Sequence, residues 1–421
     1  FREYGHDPEL LTLSNIYSSA YLTRNRPTYS LNILSDRRDL VFANTRQRFE
    51  QLPSLQLRMY PQKIGPTPLY FSMESSSSHL RTSRIADQVQ TVGADYYRTD
   101  VFPTISLQLR TPQWFSIKPQ ISLRETYYSA SLDDTRQVDD GEAITRFYAQ
   151  GQVETVGPSF SRVFNREAGG FSRFKHVIEP RMRYVYTTNV ANQDEIIRFD
   201  TVDSPFLPIV QHSVEYSLTQ RLIGKETGTN GNAREVLSFA LRQSVALSDP
   251  FPRAGSNVPL PGAEEHKFTP LLASLRFNPY QSVTFDATAA YGNVSHQLDQ
   301  VSVSANLVGT GERADRYLGF TWFASFERPG VPRGSSQIRL NTGSSLVRDR
   351  IRADVQLNFD ATEGRFLEQR YLAGWTGSCY GIALEYRRYL VFGASAALGQ
   401  EELDSYGIAV TLKNVGTIGS H

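Results

Sequence analysis

The sequence predicts an all-β protein, a large antiparallel transmembrane β-barrel of about 20 strands. Three observations predict this fold. Apolar and polar side chains alternate along the whole chain, many of the alternating segments are long, and short turns alternate with long polar loops. Because successive side chains of a strand point to opposite faces, such segments build a sheet with one apolar and one polar face.

The clearest alternation runs from Ile351 to Phe359, where apolar residues at odd positions are separated by Arg352, Asp354, Gln356 and Asn358. Other alternating segments are Tyr29–Leu34, Ile105–Arg110, Phe115–Arg124, Pro180–Tyr186, Val214–Thr219, Leu237–Val245, Ser282–Tyr291, Val301–Leu307, Tyr380–Arg387 and Ile408–Lys413. Many run about 9–13 residues, longer than the usual globular strand and long enough to cross a bilayer. Arg352, Asp354, Lys118 and Arg124 then fit the polar face of a water-filled barrel.

The connections between these segments alternate in length. The turns near Asn278-Pro279 and Leu346–Asp349 are short. The long polar connections are Ser131–Gly141, Ala191–Asp203, Gly224–Glu235 and Ser248–Lys267. Short turns at one end and long loops at the other are typical of outer-membrane barrels. Pro119 and Pro180 fall inside segments, where a missing N–H predicts bulges or weakened pairing.

Composition is compatible with this fold and excludes other classes. The 421 residues include 44 Lys+Arg and 43 Asp+Glu, a balance that argues against a nucleic-acid partner. The mean hydropathy of −0.38 would normally indicate a soluble protein. A membrane barrel shows only alternate side chains to lipid, so its average hydropathy looks soluble too.

A soluble sandwich or propeller would also alternate apolar and polar residues. The length and number of the strands, and Tyr and Phe at segment ends, favour the membrane barrel. A barrel of this width cannot be filled by its own side chains, so it must contain water, a plug or a path for cargo.

No residues are predicted to be catalytic, cofactor-binding or metal-binding. Thr376–Tyr380 resembles a papain-type nucleophile motif, but only His421 follows it. Gly224–Gly228 lacks the spacing of a phosphate loop. His176 and Glu179 are three residues apart and face opposite sides of a strand, so they are poorly placed to share a metal. We therefore expect no enzyme activity.

Several short motifs, in order, resemble those of the LptD family of outer-membrane proteins. They are Leu13–Tyr17, Thr23–Asn25, Gln51–Leu55, Pro68–Ser72, Leu123–Tyr128, Lys175–Pro180, Tyr184–Tyr186, Arg198–Thr201, Gly377–Gly381 and Glu385–Arg388. Each is weak alone, and Lys175–Pro180 is the most specific.

The resemblance implies a periplasmic jellyroll domain followed by a barrel of up to about 26 strands. We therefore expect residues 1–421 to be one barrel domain, with the jellyroll and the first barrel strands absent. The family carries two adjacent C-terminal cysteines that pair with cysteines before the barrel. Here Ser378 precedes Cys379, the single cysteine. Cys379 is thus a candidate for a disulfide whose partner lies outside this chain.

The resemblance also implies a function. The family transports lipopolysaccharide and inserts it into the outer leaflet of the outer membrane of Gram-negative bacteria, through a polar lumen and a lateral seam. The implied partners are lipopolysaccharide, the plug lipoprotein LptE, the periplasmic bridge protein LptA and outer-membrane lipids. The predicted last strand at the seam is Ser405–Leu412, with Ile408, Val410 and Leu412 on one face. The alternative is a general porin or a nutrient-uptake barrel.

Overall fold

The computed structural model describes residues 15–420 apart from 43–44, 87–88, 110, 134–136, 140, 191, 193–194, 204–211, 229–230, 249–266, 294, 328–333, 347–349, 393–399 and 413–415. This part of the chain consists of strands, turns and two short 3-10 helices, Thr201–Asp203 and Gly311–Arg313. Among the residues described, no helix has the length and apolar character that crossing a bilayer requires.

Each predicted segment overlaps a strand. They are β1 (Asn15–Asn25), β2 (Tyr29–Phe42), β3 (Thr45–Lys63), β4 (Leu69–Ala86), β5 (Val89–Leu107), β6 (Ser116–Tyr128), β7 (Ser131–Leu132), β8 (Val138–Asp139), β9 (Ile144–Val156), β10 (Phe160–Phe164), β11 (Phe171–Thr187), β12 (His212–Glu226), β13 (Ala233–Ala246), β14 (Leu271–Tyr280), β15 (Val283–Gly292), β16 (Gln297–Val308), β17 (Tyr317–Ser325), β18 (Ser335–Leu346), β19 (Ile351–Asp360), β20 (Arg365–Thr376), β21 (Tyr380–Phe392), β22 (Gln400–Leu412) and β23 (Gly416–Ser420).

All strands except β7 and β8 form one antiparallel sheet of 21 strands, which confirms the predicted fold class. β9 and β10 lie end to end along the same edge of β11. Val156 of β9 faces Arg181, and Phe160 of β10 faces Ile178. Twenty-one strands, of which two share one position, give 20 positions across the sheet. β7 and β8 form a separate two-stranded sheet in the connection between β6 and β9.

The sheet has an inner polar face and an outer apolar face, and the continuous register carries each face from strand to strand. On β19, Asp354 lies opposite Gly343 and Leu372 on the inner face, while Val355 lies opposite Thr342 and Tyr371 on the outer face. Large apolar side chains are exposed on the outer face at Ile105, Ile121, Leu123, Phe147, Met182, Phe277, Leu307, Phe320, Tyr371, Ile382 and Leu384. Such an exposed apolar band is what lipid covers in a transmembrane barrel.

The longest connections, 129–143, 188–211 and 247–270, all join strands at the same end of the sheet. The opposite end carries shorter turns such as 26–28, 281–282 and 377–379. We assign the long-loop end to the cell exterior and the short-turn end to the periplasm. The predicted long loop Gly224–Glu235 is wrong in extent, because β12 continues to Glu226 and β13 begins at Ala233. Arg234 holds this periplasmic turn together through an ion pair with Glu226 at 3.1 Å.

The two strand prolines behave differently. Pro180 pairs in register with Leu218 on β12, but its other edge meets the interruption between β9 and β10. The N–H of Gly157 in that interruption donates to the carbonyl of Pro180 at 2.8 Å. The missing N–H of Pro180 therefore faces a place where the neighbouring strand is already broken, as predicted. Pro119 lies opposite Val153 without a register shift, so no bulge forms there, but the pairing of β6 with β5 ends at Gln120 and leaves Pro119 without a partner on that side among the described strands.

The described sheet has two edges. β1 pairs with β2 alone, and β23 pairs with β22 alone, among the described strands. β23 covers only Ile408–Leu412 of β22. The sequence predicted Ser405–Leu412 to be the last strand, but the structure adds β23 beyond it. Gly416–Ser420 lacks the apolar alternation that marks the other strands, which is why the sequence did not predict it.

The outer and inner faces of β16 should tolerate a charged substitution differently. Replacing outward-facing Val303 with Arg places a charge in hydrocarbon, which is expected to cost about 2–4 kcal/mol near mid-membrane. Replacing inward-facing Ser302 with Arg is expected to cost far less. Urea unfolding of both variants in lipid vesicles measures the difference, and equal losses would contradict the assignment of the faces.

Candidate functional site

Part of the connection between β11 and β12 folds back onto the inner face of the sheet. Residues 195–203 lie against β3, β4, β5, β6 and β9, five consecutive positions. The apolar part of the segment is Ile196 and Ile197, which are buried against Leu80, Tyr96 and Tyr128. A single segment can contact so many neighbouring strands because the sheet curves around it.

Buried ion pairs fix this segment to the wall. Arg98 of β5 is fully buried and binds two aspartates of the segment. Its guanidinium donates to Asp200 at 2.6 and 2.8 Å and also to Asp203. The Tyr128 hydroxyl donates to the other oxygen of Asp203 at 2.7 Å, and the Phe199 N–H donates to Asp203 at 3.2 Å. Asp203 therefore has a complete set of donors although no water reaches it.

A second layer of polar groups supports the first. Arg124 forms a two-point ion pair with Asp100 at 2.9 and 3.0 Å, and Thr126 donates to the same carboxylate at 2.6 Å. Arg146 is also fully buried and donates to the carbonyl of Val202 at 2.7 Å. We call Arg98, Asp100, Arg124 and Arg146, together with Asp200 and Asp203 of the segment, the inner-wall cluster. It holds three positive and three negative side chains, so its charge is balanced.

Burial dominates the electrostatics of Asp203. Desolvation raises the pKa of this carboxyl above its ordinary value, while the neighbouring Arg98 and the Tyr128 hydroxyl act in the opposite direction. An ion pair this deeply buried is costly to break from one side, because the remaining charge is left without a partner. The cluster is therefore a latch that holds the segment in one position.

The other exterior connection packs beside the segment. The N–H of Leu132 in β7 donates to the carbonyl of Glu195 at 2.7 Å, and Leu132 and Val138 pack against the same apolar group. On β3, Phe49 meets Phe199 edge to face with ring centres 5.7 Å apart. Two exterior connections thus cover the inner wall of β3–β9 at the exterior end of the sheet.

The sequence motifs predicted part of this site. Arg198–Thr201, quoted for the family resemblance, contains Phe199 and Asp200 of the folded-in segment. Arg124 was predicted to face the lumen, and it lies on the inner face as expected. Arg98 and Arg146 were missed, because a charged residue at an inward position of a barrel strand looks like any other.

The predicted site residues lie elsewhere and are not brought together with this cluster. Cys379 is exposed and unpaired by any disulfide within the chain, in the turn between β20 and β21 at the periplasmic end. Ile408 and Val410 are exposed on the outer face of β22, opposite Leu384 and Ile382. Leu412 is the last residue of β22 and pairs with Gly416. Their role at a lateral seam stays a prediction.

A metal centre is not evident. In the described part of the chain, no three His, Cys, Asp or Glu side chains are grouped so as to hold a metal ion. His176 contacts Gln220 at 3.2 Å, while Glu179 contacts Arg221 at 3.1 Å. The two side chains thus have separate partners on β12.

A long-stranded antiparallel sheet with a polar inner face, an apolar outer face and long loops at one end defines an outer-membrane β-barrel. The family model described as "LptD: LPS transport system D" matches residues 1–207. Residues 1–207, just under half of the chain, thus match the model of a transport family, as the motifs in that part of the sequence predict. The protein is located in the outer membrane of a Gram-negative bacterium. No curated protein matches the chain.

Solved structures show a more distant similarity. The siderophore receptor PirA from Acinetobacter baumannii shares 9% identity, with 95% of this chain and 71% of that chain covered, at a TM-score of 0.41. A mutant of the ferric enterobactin receptor PfeA from Pseudomonas aeruginosa shares 9% identity, with 96% and 72% covered, at a TM-score of 0.42. The copper transporter OprC shares 7% identity, with 95% and 72% covered, at 0.38. TM-scores this low establish neither a common fold nor a common ligand.

Removing Arg98 should release the folded-in segment. Arg98→Met leaves Asp203 buried without its cation, at a cost of about 3–5 kcal/mol. Trypsin should then cleave after Arg198, which is exposed in the segment, roughly tenfold faster or more. The matched control is Arg276→Met, which removes an exposed inner-face pair with Asp286 and should leave cleavage unchanged. Equal cleavage of both variants would contradict the claim that Arg98 holds residues 195–203 against the inner wall.

Proposed function

We propose that this protein transports lipopolysaccharide and inserts it into the outer leaflet through a polar lumen and a lateral opening. The family match over residues 1–207 is the observation that carries the proposal. The two faces of the sheet and the position of its edges support it.

The chemistry of the cargo explains why two faces are needed. Lipopolysaccharide joins a large polar glycan to several acyl chains. Moving the glycan through hydrocarbon would strip its hydroxyl groups of hydrogen bonds at high cost. An inner face lined by groups such as Ser217, Thr219, Thr288 and Ser302 gives the glycan a hydrated path. The acyl chains need an exit into lipid, and the outer face already lies in lipid.

The exit is proposed to lie at the seam that the family resemblance implies, between the last strands and a first barrel strand that is expected to lie outside residues 1–421. Opening a paired strand in lipid exposes backbone groups that no water can satisfy. An opening is least costly where few ladder hydrogen bonds must be broken. The shortest ladder near the end of the described sheet joins β22 to β23, and Ile408 and Val410 lie within it on the outer face of β22. These residues are therefore proposed to border the exit.

The folded-in segment gives the exit a direction. Residues 195–203 and the β7–β8 hairpin cover part of the inner wall at the exterior end. A cover at that end, fixed by Arg98 and its aspartates, hinders release of the glycan straight outward. Sideways release then remains, and it delivers the acyl chains into the outer leaflet.

The partners follow from the family resemblance and remain part of the proposal. They are the lipoprotein LptE inside the lumen and the bridge protein LptA at the periplasmic end, through which an inner-membrane ATPase would supply the energy. Cys379 lies in a periplasmic turn, where a cysteine outside this chain could reach it. This position is compatible with the disulfide that the resemblance implies.

Photo-crosslinking in cells tests the proposal. A photoreactive residue at inward-facing Ser405, beside Arg387, should form adducts with lipopolysaccharide only while transport is running. The control is outward-facing Val303, where crosslinks to the surrounding lipid should be the same whether or not transport occurs. In a porin or a nutrient-uptake barrel, lipopolysaccharide stays outside the lumen. Absence of adducts at Ser405 and at other inward positions of β22 would therefore refute the transport function.

A further inference from the structure

We infer that Arg370 and Arg387, neighbours on the inner wall of β20 and β21, form a binding subsite for a phosphate group carried by the glycan. The inference rests on the proposed function for the identity of the cargo. It goes beyond that function by naming the residues and the chemical group that they recognise.

The register brings the two arginines side by side. Arg370 lies directly opposite Arg387, and both point to the inner face. Two like charges directly opposite each other on neighbouring strands destabilise a sheet unless something compensates them. Here each arginine is compensated along a diagonal. Arg370 donates to Glu385 at 2.6 and 2.8 Å, and Arg387 donates to Glu368 at 2.8 Å.

The arrangement keeps the two cations in the middle and the two anions at the ends. Glu368 lies two residues before Arg370 on β20, and Glu385 lies two residues before Arg387 on β21. If stability alone had set the arrangement, each arginine could face a glutamate directly across the ladder. The crossed pattern instead places the two arginines directly opposite each other at the centre of the group, with one glutamate at each end.

Exposure shows which partner faces the lumen. The side chain of Arg370 is 42% exposed, against 10% for Glu385. The side chain of Arg387 is 30% exposed, against 19% for Glu368. The carboxylates thus lie against the wall, and the guanidinium groups are presented to the interior. The four side chains have no net charge together, but they present mainly the cationic groups to the lumen.

A cavity adjoins this surface. It has a volume of about 340 Å³ and is lined by Tyr317, Asn341, Asp354, Gln356 and Arg370, among others. Asn341, Gln356 and Arg370 lie in one row across β18, β19 and β20. Their amide and guanidinium groups can donate to the same guest. On the other side, Asp354 accepts from the Tyr317 hydroxyl at 2.9 Å and from Arg352 at 2.7 Å.

The chemistry favours a phosphate. The planar guanidinium donates two parallel hydrogen bonds to phosphate oxygens, and two such groups suit a dianion better than a single charge. Neutral sugar hydroxyls would gain little from paired cations. The position also fits a transit site, because β21 pairs with β22, one of the last two strands of the described sheet. Cargo held here lies close to the proposed exit.

Charge-neutral variants test the subsite without leaving a buried charge unpaired. The variant E368Q/R370Q/E385Q/R387Q replaces both ion pairs by amide pairs and keeps the net charge. The matched control, R276Q/D286N, replaces another inner-face ion pair, on β14 and β15. Unchanged urea unfolding of both proteins in lipid vesicles establishes that the fold is retained.

Binding is measured on the purified full-length protein with glucose 6-phosphate as the probe and glucose as its neutral counterpart, by ligand-observed NMR. The wild-type protein and the R276Q/D286N control should bind the phosphosugar in preference to glucose. The amide variant should bind it about tenfold more weakly, because charged hydrogen bonds are lost. Equal phosphosugar binding by the amide variant and the wild type, or no preference over glucose in the wild type, would overturn the subsite.

Crosslinking at Ser405 separates this inference from the proposed function. If wild-type adducts form and the amide variant shows the same rate of adduct formation and discharge, transport stands and the subsite is refuted. If the amide variant accumulates adducts several-fold more slowly while R276Q/D286N does not, the subsite is supported. If no adducts form in the wild type, the transport function fails, whatever the phosphosugar binds.

Discussion

The structure depends on one constraint: backbone N–H and C=O groups in hydrocarbon must find partners within the sheet. Antiparallel pairing between neighbouring strands of the 21-stranded sheet satisfies this for the described strands, and the alternation of side chains follows from it. Outward positions are mostly apolar because they meet lipid, and inward positions may be polar because they meet water. The same constraint sets the cost of opening the wall. A short ladder, such as the pairing of β23 with Ile408–Leu412 of β22, has fewer backbone hydrogen bonds to break than the long ladders between the other strands.

Charge is used differently in two parts of the inner wall. In the inner-wall cluster, Arg98 is buried and paired with Asp200 and Asp203, so its charge serves to fix the folded-in segment. On β20 and β21 the carboxylates of Glu385 and Glu368 are less exposed than the side chains of Arg370 and Arg387. The first arrangement fixes a segment that covers part of the inner wall, and the second leaves the cations the more exposed partners. Both are electrically balanced, which is how a strongly charged wall is compatible with a chain of net charge +1.

Much of the fold could be predicted from the sequence, because period-two alternation is a direct consequence of a sheet between lipid and water. Segments such as Ile351–Phe359 were therefore located nearly to the residue. Prediction failed where alternation stops carrying information. The predicted segment Ile105–Arg110 extends past the end of β5 at Leu107. No strand was predicted at Gly416–Ser420, which is poor in apolar residues. The prediction also made the turn after β12 too long, since its polar residues Glu226 and Arg234 are paired across the turn. The site was harder, because the partners of Arg98 are about a hundred residues away in sequence and only curvature brings them together.

The central claim is that side chains alternate between lipid and water along strands that wall a wide barrel. It is tested most directly on β19, by introducing single cysteines from Ile351 to Asp360 into a Cys379→Ser background and attaching spin labels in lipid vesicles. The account predicts that labels at Arg352, Asp354, Gln356 and Asn358 are reached by a water-soluble relaxation agent, while labels at the intervening positions are reached by oxygen dissolved in lipid. A profile without a period of two, or water access at all ten positions, would contradict it.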